Sequence, residues 1–137
     1  MTDYRLDPDG PRTSDYAQQV GEALAESVRV LNHITRSPDA VPNPNTIYTL
    51  LGHAHAAIAG FDQLLRQLTE RLDAMHADDL VHHDSDIPAR AAYAVTATAG
   101  TLDHCRALAG SLAGGLASAH AHTAALYLGM PVDEEDT

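Results

Sequence analysis

Residues 88–128 read PARAAYAVTATAGTLDHCRALAGSLAGGLASAHAHTAALYL. Only Arg90, Asp103 and Arg106 carry a full charge across this stretch, and Ala, Gly, Ser, Thr and Leu supply most of the rest. No two-residue alternation runs through it, so it reads as one long helix. An ordinary surface helix keeps a charged face toward water. This one has almost none, so its sides need cover from neighbouring helices or from a second protein.

At 100° per residue the stretch resolves into two faces. Val95, Leu102, Cys105, Ala109, Leu112, Leu116 and Ala119 share one side, which is expected to pack on the other helices. Ala107, Gly110, Gly114, Ala117, Ala121 and Ala124 form a ridge of small residues on nearly the opposite side. His104, Ser111, Ser118 and His122 lie in a polar strip between. Small residues let two helix backbones approach closely. Glycine inside a helix costs about 1 kcal/mol relative to alanine, and Gly110, Gly114 and Gly115 fall close together, so close packing is the expected offset. Either the first helix crosses the ridge or a second copy of the chain meets it. The first helix is about half as long as the third, which favours the second copy.

Upstream, Ser14 or Asp15 is the expected cap of a first helix that runs to about Arg36. Val20, Leu24, Ser27, Leu31 and Ile34 recur along it at 4-3-4-3 spacing, and Pro38 ends it. Asn43-Pro44 is a strong start signal, an N-cap residue followed by proline at the first helical position. From there Ile47, Leu51, Ala54, Ile58, Phe61, Leu65, Leu68, Leu72 and Met75 keep the 4-3 spacing to about Ala77. Ser85 or Asp86 is the expected cap of the third helix, with Pro88 in its first turn. Gly129 and Pro131 are its expected stop. Short connections imply neighbours of opposite direction. The fold class is therefore all-α, an antiparallel bundle of three long helices, the third longest, completed by dimerisation. Residues 1–13 read as a disordered N-terminal arm, 14–129 as the bundle domain and 130–137 as an acidic C-terminal tail.

The net charge is −11, with five acids between Asp73 and Ile87 and four between Asp133 and Asp136. Acidity argues against nonspecific nucleic-acid binding, which needs a cationic face. All eight basic residues are Arg, beside two dozen Ala, a bias that suggests a GC-rich bacterial genome. A single Cys suits a reducing compartment. Met1-Thr-Asp-Tyr has no basic leader region and no segment is apolar enough to span a bilayer, so the expectation is cytoplasmic, without membrane insertion.

Nine His stand in the chain. His33, His104 and His122 fall on polar faces, and His53 and His55 flank the stripe of the second helix. His120 falls beside the large-residue face, at the end that also holds Tyr48, as a core histidine or a pH-sensitive contact. If the second helix continued through the linker, His76, Asp79 and His83 would share a face and make a weak candidate metal site, which His82 would not join. The expectation is no resident metal and no cofactor. Cys105 lies on the core face without a base, so no catalytic residue is assigned. Arg71-Leu-Asp-Ala-Met-His76 is similar to the Arg-x4-His spacing of helical HEPN-type ribonucleases, a spacing that eight Arg and nine His also supply by chance. The chain resembles loosely the small helical-hairpin proteins of actinobacterial secretion systems, without their Trp-x-Gly turn.

The expected function is a non-enzymatic interaction or scaffolding module. It self-associates through the third helix, with another protein as a further partner. The alternatives are a metal- or pH-responsive regulator built on residues 73–86 and a helical ribonuclease using Arg71 and His76.

Overall fold

The computed structural model describes residues 6–129, and among them it contains four helices and no strand. These are α1 (Ser14–Ile34), α2 (Pro44–Ala59), α3 (Phe61–Ala77) and α4 (Pro88–Thr123). The chain forms two compact units, one ending at Pro42 and the other beginning at Asn43. In the second unit α2, α3 and α4 pack against each other.

In the first unit, α1 starts one residue earlier than Ser14 or Asp15 would set it. Thr13 is its N-cap, and the Thr13 hydroxyl accepts the Tyr16 amide at 3.2 Å. A tight turn precedes it, closed by the Gly10 amide on the Asp7 carbonyl at 3.0 Å. The Tyr16 hydroxyl accepts the Asp7 amide at 2.9 Å and donates to the Asp7 carbonyl, which ties the turn to the helix. A Cβ on Gly10 would stand 3.0 Å from both the Tyr16 ring and the Asp7 carbonyl, so a larger residue there would press on the turn. The first five residues of the expected arm lie outside the described ones. Along α1, Val20, Leu24, Val28, Leu31 and Ile34 leave an exposed apolar stripe.

In the second unit Asn43 caps α2 as its sequence requires. Its Oδ1 accepts the Thr46 amide at 3.0 Å and the Thr46 hydroxyl at 3.2 Å, with Pro44 in the first turn. The expected single helix over 44–77 is interrupted at Gly60. The break is shallow. Gly60 keeps helical dihedrals (φ −71°, ψ −16°), its amide bonds to the Ala56 carbonyl, and its carbonyl accepts the Leu64 amide. Glycine is the weakest helix former after proline, and the apolar stripe runs through it unshifted.

The end of α3 is a Schellman motif. The Leu80 amide bonds to the Met75 carbonyl at 3.0 Å and the Asp79 amide to the His76 carbonyl at 3.1 Å. Asp79 takes the left-handed position usually given to glycine, φ 57°. Neither Ser85 nor Asp86 caps α4. Ile87 is the N-cap and has no side-chain acceptor to offer, while Ser85 is engaged with His83. Nor does Gly129 end α4, since no described glycine has positive φ. The helix stops at Thr123. The Thr123 hydroxyl satisfies the His120 carbonyl at 2.9 Å, and the Ala124 amide bonds only three residues back, to Ala121. Leu126, Tyr127 and Leu128 beyond it are exposed. The acidic tail from residue 130 lies outside the described residues.

The expected trio of long helices is thus replaced by α4 against the α2–α3 pair. The core is thin. Among the described residues Ala91, Val95 and Ala113 are the buried ones, and no large side chain is fully buried.

Candidate interaction surface

The face of α4 that meets α2 and α3 is fixed by four sets of contacts. Tyr48 stacks on His120, with ring centroids 4.0 Å apart and an interplanar angle of 18°. Gly52 lies one turn on, where a Cβ would stand 3.1 Å from His120 Nε2, so α2 and α4 approach closely there. His55 Nδ1 stands 2.9 Å from the Ala113 carbonyl, the distance of a hydrogen bond donated by the ring. Arg106 Nε donates to Asp62 Oδ1 at 2.9 Å and its NH1 reaches Asp103 at 3.4 Å. The hydrogen bond from Arg106 holds the Asp62 carboxyl below the usual carboxylate range. His76 and Ala91 share a cavity at the far end.

Of the face expected to be covered, Val95 is buried and Leu102, Cys105, Ala109, Leu116 and Ala119 are half-buried. Leu112 is not: it is 52% exposed, and Leu108 beside it is 56% exposed. On α3, Leu64 and Leu68 are exposed as well. The α2–α3 pair covers one flank of the apolar face and leaves the other open.

The small-residue ridge is open throughout. Ala107, Gly110, Gly114, Ala117, Ala121 and Ala124 are all exposed. A Cβ added at Gly110, Gly114 or Gly115 would meet nothing within 4 Å. The ridge spans about 25 Å at 1.5 Å per residue.

The histidine-rich connection between α3 and α4 encloses a cavity of about 220 Å³ lined by His76, Asp79, His82, His83 and Asp86 with Val81, Ile87, Pro88 and Ala91. His76, Asp79 and His83 therefore gather around one space although the helix ends between them, and His82 joins them. Among the described residues no three His, Cys, Asp or Glu side chains stand close enough to hold a metal. His76 Nδ1 is buried without a hydrogen-bond partner. Arg71 is exposed on α3 and does not line this cavity, so Arg71 and His76 are not brought together there. His33, His104 and His122 are exposed, and Cys105 is a half-buried free thiol.

The flanking label given to His55 misses its contact with Ala113. Its signal is a second series, Tyr48, Gly52 and His55, at the same 4-3 spacing and one position on from Ile47, Leu51 and Ala54.

No described helix is long and apolar enough to cross a membrane. No protein-family model, no curated protein and no solved structure matches the chain.

Proposed function

We propose that the protein is a non-enzymatic interaction module that self-associates through α4, as a homodimer whose second copy completes an antiparallel, coiled-coil-like bundle. The carrying observation is the open ridge from Ala107 to Ala124, with empty space over Gly110 and Gly114. Three glycines in one helix segment cost about 3 kcal/mol of helix propensity, and among the described residues nothing lies within 4 Å of a Cβ at any of them to offset that. The antiparallel reading rests on the order of the pairs. Positions 48, 55 and 62 rise along α2 and α3 while their partners 120, 113 and 106 descend along α4. A net charge of −11 is unfavourable for a nucleic-acid partner. The acidic residues Asp133–Asp136 are the proposed point of attachment for a further protein partner with a basic surface.

Light scattering of the purified chain over a dilution series from millimolar to micromolar tests the reading. A dimer mass that falls to monomer on dilution supports it. A monomer mass at every concentration sinks it.

A further inference from the structure

The Nδ1 atom of His83 has three neighbours that cannot all be satisfied in one protonation state. The Ser85 amide donates to it at 3.0 Å, the Ser85 hydroxyl stands 2.7 Å away, and Asp84 Oδ1 stands 3.0 Å away. A ring nitrogen carries either a lone pair or a proton. With the lone pair on Nδ1, the ring accepts the Ser85 N–H and the proton sits on Nε2. The Asp84 carboxylate then has nothing to bind there, and its side chain is 96% exposed, free to turn to water. With a proton on Nδ1, the ring donates to the Ser85 hydroxyl and pairs with the Asp84 carboxylate, and the Ser85 N–H faces another N–H and has to leave.

We propose that His83 is a proton-operated latch on the α3–α4 connection, closing the 83–86 turn when neutral and releasing the Ser85 amide when charged. The turn itself is held by the Asp86 amide on the His83 carbonyl at 2.9 Å, and Asp86 sits in the left-handed region, φ 55°. Such a backbone persists only while its surroundings hold it. Losing the Ser85 amide therefore loosens the segment that leads directly into the Ile87 cap and first turn of α4. It also reshapes the cavity wall formed by His83, Asp86 and Ile87. The charged and titratable groups that face the ring are few. Asp84 touches it, and Asp79 and Asp86 line the same cavity and favour the imidazolium. His76 from α3 and His82 oppose it when they carry charge. The cavity wall from α4 is Pro88 and Ala91, neither of which titrates.

The test is a pH titration of the full chain by nuclear magnetic resonance, following the His83 ring carbon and the Ser85 amide in one sample. The Ser85 amide proton is expected to shift upfield with the midpoint of the His83 titration. In His83→Asn the side-chain oxygen accepts the same amide, as in an Asx turn, and has no proton to gain, so the Ser85 resonance stays fixed. Asp84→Asn removes the partner of the imidazolium and moves the midpoint to lower pH. A Ser85 amide that holds still while His83 titrates overturns the proposal. So does a His83→Asn chain that keeps the step, or an Asp84→Asn midpoint that does not move.

Discussion

Gly114→Leu separates the stability of one chain from its association, because the two are expected to move in opposite directions. A Cβ at Gly114 meets nothing within 4 Å, and Gly114 lies within the 36-residue α4. In a lone chain the substitution therefore costs no contact and recovers roughly 1 kcal/mol of helix propensity. If the ridge faces its own copy, each leucine fills space needed by the facing backbone. Overpacking of this kind costs about 1–3 kcal/mol, and twofold symmetry counts it twice, about 2–6 kcal/mol. At 1.4 kcal/mol per factor of ten the dimer weakens by roughly 30-fold to 10⁴-fold. Sedimentation equilibrium gives the dimer constant, and thermal unfolding well below that constant gives the single-chain stability. The expected result is a weaker dimer beside a monomer Tm raised by several degrees. A native dimer that survives Gly114→Leu unchanged would refute the ridge as its contact. A monomer Tm that falls would show that the space over Gly114 is not free.

Three further outcomes follow from the contacts of the second unit. Gly52→Ala should lower Tm, since the Cβ would press on a His120 ring already fixed by Tyr48. Overpacking of about 1–3 kcal/mol outweighs a propensity gain near 1 kcal/mol, and in a His120→Ala background the same change should stabilise. Asn43→Ala should cost about 1 kcal/mol in denaturant unfolding, and Asn43→Ser should recover most of it, because the cap needs an oxygen for the Thr46 amide. The Asp62 carboxyl is held below its usual range by Arg106. Its stabilisation is therefore present above the unfolded carboxyl range and lost as pH falls through the folded value. Asp62→Asn should flatten the acid limb of stability against pH, and an unchanged acid limb would show the pair to be silent.

Local chemistry was legible where one strong signal stood alone, and less so where two local signals competed or where a partner lay on another helix. Asn43-Pro44 names its own cap because the acceptor, the amide it serves and the proline all lie within four residues. The end of α3 near Ala77 followed from the linker composition, but Asp79 in a left-handed C-terminal position carries no signal as strong as glycine would. Ser85 looks like a helix cap by itself and is taken by His83 two residues earlier. The 4-3 stripe runs unbroken through Gly60, so periodicity does not register the interruption there. Periodicity also tells which side chains share a face of α4, and the residues of the ridge are all exposed. It does not tell how wide a neighbour will be, which is why Leu112 was expected inside and stands open. His55 is easily passed over because its series, Tyr48, Gly52 and His55, runs one position beside the more apolar stripe, and its partner is a backbone carbonyl with no side chain to mark it.

The glycines of α4 have a dynamic consequence. Gly110, Gly114 and Gly115 bracket Ala113, whose carbonyl His55 grips across the helix pair. Long helices ordinarily fray from their ends, and local opening begins where the contacts are fewest. Here the least helix-favouring residues sit well inside α4, so amide exchange should show a soft centre between firmer flanks. Anything that covers the ridge stiffens that centre, and the His55 grip with it. Exchange rates at residues 110–115 then report occupancy of the surface directly, with no need to see what occupies it.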